Sequence, residues 1–204
     1  LLKIDKNNNI NKINISQILQ IQNGSNPHLW YKPETFPKLA KYLANIFTEK
    51  FKNDNKAKLY FEKNLNNFLA KNKILQKKIE AINSKYTGMA VTATEPVFGY
   101  MANALGFKVL GLDFQWKIMN ETDPSPKMIA NYEDLLINKK VKILFYNNQV
   151  SNSLVKNILD IAKANHINIV GVSEIMPDNT QDPNIWFENE LNTLQKSLAR
   201  LNKQ

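Results

Sequence analysis

Two periodicities divide the chain. Up to about residue 86 the apolar positions recur at helical spacing. Phe36, Leu39, Leu43, Phe47 and Phe51 form one stripe. It predicts a helix of about twenty residues beyond a linker punctuated by Pro27, Pro33 and Pro37. Leu65, Phe68, Leu69, Leu75, Ile79 and Ile82 form a second stripe and predict a longer helix over about 56–83. At a rise of 1.5 Å per residue that element spans roughly 40 Å, enough to cross a domain. It reads either as a spine between two lobes or as one arm of a helical hairpin. Ahead of both, residues 1–25 mix an Asn-rich run with one short apolar stretch, 13–19. That is too little for a domain and reads as the tail of something preceding it.

From Thr87 the pattern shifts to short, β-branched runs alternating with helical ones. Strands are predicted over 88–94, 107–110, 141–146 and 167–172. A helix opens at Glu95-Pro96 and ends near Gly106, with proline just inside its start and glycine just past its end. The stretch after the second strand reads as a loop rich in turn residues, closing on Asp123-Pro124-Ser125-Pro126. Ser125 is placed to cap a helix bearing Ile129, Tyr132, Leu135 and Leu136. A further helix carries Leu154, Val155, Ile158, Leu159 and Ala162, and the last carries Phe187, Leu191, Leu194, Leu198 and Leu201. Strand and helix alternating at this spacing imply right-handed crossovers. The predicted class is α/β: a parallel sheet with helices on both faces, preceded by a long helix.

Composition narrows the chemistry. With 204 residues, 43% hydrophobic and 22% charged, the balance is that of a globular chain and excludes wholesale disorder. No apolar run reaches the roughly 18 residues of a membrane span. There is no cysteine, which removes disulfide scaffolds, thiolate zinc sites and cysteine nucleophiles together. Carboxylates, hydroxyls and two histidines, His28 and His166, remain. The net charge of +9 lies entirely in the first part of the chain, where residues 1–86 hold 16 lysines against 6 acids. The remainder holds 11 basic and 12 acidic residues, and Arg200 is the only arginine. Recognition of phosphate and base edges favours arginine's bidentate fork, so nucleic acid is not an expected partner. Lysines such as Lys71, Lys77 and Lys78 read as a solvated helix face. The chain begins Leu1-Leu2, without an initiator Met or a signal-peptide pattern, which suggests that an export signal has already gone.

In an open parallel sheet, ligands collect beyond the carboxyl ends of the strands. Two acids stand at such ends: Glu95 after the first strand of the α/β unit and Glu174 after the fourth. His28 precedes the long helices and reaches the same edge if the long helix folds back across the sheet. One imidazole and two carboxylates make a nitrogen–oxygen donor set suited to Zn2+ or Mn2+. Each residue also has a plainer reading: His28 as a capping or surface residue, Glu95 as a complement to a helix dipole, Glu174 as an exposed loop acid. Asn147, Asn148 and Gln149 follow the third strand and face the same edge. They can support ligands by hydrogen bonds, although turn formation is their commoner role. His166 falls at the opposite, amino-terminal edge and reads as a surface residue. Trp30, Tyr31, Trp186 and Phe187 read as core anchors. No Gly-rich phosphate loop, G-x-S-x-G elbow or H-E-x-x-H pair occurs.

Several segments together carry a resemblance. Asn26-Pro27-His28-Leu29-Trp30-Tyr31, Thr94-Glu95-Pro96-Val97-Phe98-Gly99-Tyr100, Asp123-Pro124-Ser125-Pro126, Leu144-Phe145-Tyr146-Asn147-Asn148-Gln149 and Val172-Ser173-Glu174-Ile175-Met176-Pro177 occur in this order. The chain resembles the zinc/manganese substrate-binding proteins of bacterial ABC transporters over about residues 13–200. The resemblance implies two α/β lobes joined by a long rigid helix, with the metal held between them. On that pattern 1–25 would be a remnant of the N-terminal lobe, 26–86 the linker helices including the spine, and 87–204 the C-terminal lobe. His28 would be the histidine at the start of the linker region. Glu95 would be the ligand after the first strand of the C-terminal lobe, where relatives carry His or Glu. Glu174 would take a position usually held by Asp, one methylene shorter. The family's first histidine ligand and its histidine-rich loop have no counterpart here, so the expected fragment site has three ligands and one open side.

The resemblance therefore implies a protein that captures Zn2+ or Mn2+ outside the cytoplasmic membrane and delivers it to an ABC permease, without catalysis. Contact with a membrane surface is expected only through a lipid anchor attached upstream. Two alternatives stand beside it. One is a metal-dependent hydrolase with an open coordination position and Glu95 or Glu174 as base. The other is an adhesin or interaction module that keeps the fold without using the site.

Overall fold

The computed structural model describes residues 12–201. The Asn-rich run at 7–9 and the Leu1-Leu2 start lie outside them. Helix α1 (Ile15–Ile18) is a single turn, capped by Asn14, whose Oδ1 accepts the Ser16 and Gln17 N–H groups. A 3-10 turn, Leu29–Tyr31, leads into α2 (Thr35–Lys50) and then α3 (Asn55–Tyr86), with Asp54 capping Ala57 N–H. At 32 residues, α3 is about 48 Å long.

That length serves two purposes. The first half of α3 pairs with α2 as a hairpin, Phe61 packing on Phe47 at 5.4 Å and on Phe51 at 5.8 Å. The second half buries Leu75, Ile79 and Ile82 against the α/β unit. Asn72 donates to Asn184 Oδ1 at 3.0 Å, and Lys78 reaches Asn192 and Glu188, so polar contacts fix α3 to the last helix. The hairpin reading is realised in the first half of α3, while its second half packs on the α/β unit.

The α/β unit holds β1 (Ala90–Ala93), α4 (Gly99–Ala104), β2 (Lys108–Val109), α5 (Leu112–Met119), α6 (Pro126–Ile137), β3 (Ile143–Asn147), α7 (Ser153–Ala164), β4 (Asn168–Val172) and α8 (Pro183–Leu201). All strand pairs are parallel, in the order β2-β1-β3-β4. Val91 lies beside Ile143, and Ile143 beside Asn168. Alternate strand residues face opposite ways. Val91, Ala93, Ile143, Phe145, Val170 and Val172 join α3, α4 and α8 on one face. Leu144 and Ile169 join Phe114, Tyr132, Leu136 and Ile158 on the other. The parallel sheet covered on both faces is the architecture the alternating pattern predicted.

Two local expectations need correction. Part of the stretch expected as a loop is helix α5. It starts at Gly111, whose φ of +72° belongs to the left-handed region, and a Cβ there would lie 2.8 Å from the Tyr132 ring. Close stacking of Phe114 on Tyr132, at 3.9 Å, then holds this short helix to α6. The helix expected at Glu95-Pro96 begins as a 3-10 turn, Pro96–Phe98, before passing into α4. Ser125 caps α6 as expected, accepting Met128 N–H at 3.2 Å. Asn152 does the same for α7 at Val155.

Candidate metal centre

The sheet changes direction at β1, with β2 on one side and β3 on the other. Crossovers leaving in opposite directions open a crevice beyond the carboxyl ends of β1 and β3. A cleft of about 530 Å3 lies there, and His28, Glu95 and Glu174 all line it, together with Asp123 and Pro124 from the α5–α6 loop. This is the edge expected from topology, and the three side chains line one cleft there.

His28 sits at the start of the Leu29–Tyr31 turn and is buried, 3% exposed. Asn26 fixes it. Asn26 Nδ2 donates to the Pro96 carbonyl at 2.6 Å, which makes Oδ1 the acceptor. Oδ1 takes His28 N–H at 3.0 Å and faces His28 Nδ1 at 2.7 Å. Nδ1 must therefore carry the proton, and Nε2 presents a lone pair. Burial lowers the His28 pKa, while the Glu174 charge pulls it upward; burial dominates, so the ring is neutral at neutral pH. A neutral imidazole is the form that binds a metal.

Nε2 lies 3.7 Å from Glu174 Oε1. With the ring neutral, this places a nitrogen lone pair opposite a carboxylate oxygen, which a cation between them would relieve. Two ligand atoms on one tetrahedral zinc stand about 3.4 Å apart, close to the separation seen. The other Glu174 oxygen accepts from Asn147 Nδ2 at 2.8 Å, and the same nitrogen approaches Glu95 Oε2 at 3.5 Å. Asn147, at the end of β3 and 2% exposed, thus spends its two amide hydrogens on the two acids. Glu95 is itself buried. Burial raises its pKa, Asn147's hydrogen bond opposes that, and the Glu174 charge adds to the rise.

As placed, the set is not closed. Among the described residues no group of three His, Asp or Glu side chains stands ready to hold a metal ion. His28 and Glu174 face each other directly, whereas Glu95 is linked to them through Asn147. A third ligand requires a side-chain movement at Glu95.

The remaining sequence candidates divide. Gln149 does not face the donors; it clasps the Glu174 loop, with Nε2 donating to Ile175 O at 3.1 Å and Oε1 accepting Ile175 N–H at 2.8 Å. Asn147 shows both of its readings, since its Oδ1 also accepts Gln149 N–H in a local turn. His166 is exposed, at φ +59° in the turn before β4. Tyr31, Trp186 and Phe187 are buried and stack together. Trp30 is half-buried, its ring edge-on to His28 at 5.3 Å. Asn26 is a supporting residue that the sequence reading does not single out. Asn26 belonged to a quoted motif, but its clamp on Pro96 is a contact between segments that no local spacing reports.

Solved structures that share the fold include those of the following three proteins, each at low sequence identity. A Zn(II)-bound mutant variant of AdcAII from Streptococcus pneumoniae superposes with a TM-score of 0.62 at 22% identity, covering 84% of this chain and 62% of that one. The laminin-binding protein Lmb of Streptococcus agalactiae, described as having adhesin and metal-transporting activity, gives 0.57 at 21% identity, covering 84% and 64%. FpvC of Pseudomonas aeruginosa, solved with Mn2+, gives 0.64 at 15% identity, covering 86% and 62%. The chain thus spans less than two thirds of the length of these proteins. No curated protein matches it by sequence. The sequence profile of the zinc-uptake complex component A family, described as periplasmic, matches residues 2–197, and the chain belongs to that family (ZnuA).

Proposed function

We propose that this chain is the metal-capturing part of an extracytoplasmic solute-binding protein, taking Zn2+ or Mn2+ as cargo and handing it to an ABC permease. The observation that carries the reading is the lone pair of His28 Nε2 held opposite Glu174 Oε1 across a cleft that Glu95 also lines. Family membership supports a binding role over the hydrolase alternative. His28, Glu95 and Glu174 are the proposed ligands, with Asn147 orienting the acids, Asn26 orienting the imidazole and Gln149 steadying the Glu174 loop. No bond in the cargo is made or broken. A nitrogen–oxygen set of this kind serves both zinc and manganese.

Titration of the 204-residue chain with Zn2+ and Mn2+ against a chromophoric chelator tests the proposal. Saturable binding of one ion per chain, with no turnover of a model ester or phosphodiester, is the expected result. Metal-dependent turnover would support the hydrolase. Absence of binding to this chain, and to a longer form carrying the remainder of the family's length, would leave the interaction module.

A further inference from the structure

A second group of polar contacts lies behind the cleft. Glu190, on α8, touches none of the proposed ligands. Its Oε1 accepts Ser173 N–H at 2.8 Å and Trp186 Nε1–H at 3.1 Å. The Tyr31 hydroxyl stands 2.9 and 2.8 Å from its two oxygens, and 2.6 Å from the Ser173 carbonyl oxygen. Ser173 is the residue before Glu174, and Tyr31 ends the turn that starts at His28. One carboxyl on a third element thus cross-links two ligand-bearing segments that lie far apart in the chain.

We propose that Glu190 is a positioning residue for metal capture, holding the Glu174 loop in register with the His28 turn. The inference rests on the metal-binding reading above and names a residue outside the donor set on which affinity depends. The donor count explains why a carboxyl suits the place. The Tyr31 hydroxyl has one hydrogen and three acceptors near it, so it satisfies either Ser173 O or Glu190 while the acid is charged. A protonated Glu190 donates to the Tyr31 oxygen, which frees the Tyr31 hydrogen for Ser173 O, and every group then has a partner. Burial pushes the Glu190 pKa up to about 7, against the hydrogen bonds from Ser173, Tyr31 and Trp186, so the uncharged form is accessible near neutrality. A glutamine meets the same requirements, its oxygen accepting from Ser173 and Trp186 and its amide donating to Tyr31.

The test compares Glu190→Ala, Glu190→Gln and Tyr31→Phe in the whole chain, by Zn2+ affinity and by amide hydrogen exchange without metal. Loss of a supporting group behind a metal ligand weakens affinity about 10–100-fold. Glu190→Ala is expected to weaken Zn2+ binding at least tenfold and to speed exchange at Ser173 and Ile175 about tenfold or more, with exchange at Val91 unchanged. Glu190→Gln is expected to stay within about threefold of wild type in both readouts. Tyr31→Phe, which keeps the buried ring, speeds exchange in the same loop and serves if the alanine variant does not fold. Wild-type affinity and loop exchange in Glu190→Ala, or a Gln variant as impaired as the Ala variant, would overturn the proposal. If neither the wild-type chain nor the longer form binds Zn2+, the metal reading falls, and loop exchange that stays at the wild-type rate in Glu190→Ala refutes the cross-link itself.

Discussion

The two rims of the sheet use the same residue types for opposite ends. At the amino rim His166 sits exposed at φ +59°, and Asn165 turns its amide back to the Ile161 carbonyl, four residues away. Lys139 occupies a similar left-handed position after α6. Every bond in these turns is local, and together they end helices. At the carboxyl rim His28 is buried, and asparagines bridge segments that the chain holds far apart: Asn26 to Pro96, Asn147 to Glu174. A buried polar group without a partner costs free energy, so such groups persist only where distant elements supply partners. Partner distance separates the two rims, while the Asn72–Asn184 pair shows that a distant partner can also serve packing alone, so a site needs both a distant partner and a cleft beside it.

The largest effect expected to separate the rims is on metal affinity. His28→Ala removes the single nitrogen donor and should weaken Zn2+ binding by at least ~100-fold, more than loss of a supporting group. His166→Ala should change it less than about twofold, because that imidazole is solvated at the far edge. Equal losses in a chelator competition would erase the distinction. Next in size, Asn147→Ala deprives both acids of their amide donor and should cost about 10–100-fold in affinity, whereas Asn165→Ala should leave affinity intact.

A third comparison uses pH. The folded Glu190 value, about 7, lies above its ordinary 4.5. Such a group contributes stability that is fully present below the ordinary value and lost as pH rises through about 7. His28, whose value is lowered, acts in the opposite sense and loses its contribution as pH falls through its folded value. The thermal midpoint of Glu190→Gln relative to wild type isolates the first effect. It should rise between pH 5 and pH 8 by about 5 °C, corresponding to roughly 2 kcal/mol. A gap that does not change with pH would remove Glu190 from the titrating groups. The smallest effect belongs to the amino rim: His166→Gly relieves a left-handed backbone and should raise stability by about 1 kcal/mol or less, read by denaturant midpoint.

Much of this arrangement was readable in the sequence, for reasons that differ by element. Stripes such as Phe36–Leu39–Leu43 and Leu75–Ile79–Ile82 announce α2 and α3 because periodic apolar residues report burial directly. The four strands follow from short β-branched runs, and the placing of Glu95 and Glu174 at one edge follows from parallel topology alone. Helix α5 was hidden because its eight residues carry no repeated stripe and its stability comes from Phe114 stacking on Tyr132. Glu190 was hidden for a related reason. It stands on the buried stripe of α8, one turn after Trp186 and one before Leu194, where only the folded chain shows that Ser173 and Tyr31 meet it.

The Asn26 clamp has a kinetic corollary. Because one amide joins the His28 ring to the Pro96 backbone, which directly follows Glu95, the segments bearing these two proposed donors are tied to each other. The residence time of a bound ion would then be governed by excursions of the Glu174 segment and rotamer swings of Glu95, so weakening the Gln149 clasp should hasten escape far more than it slows arrival.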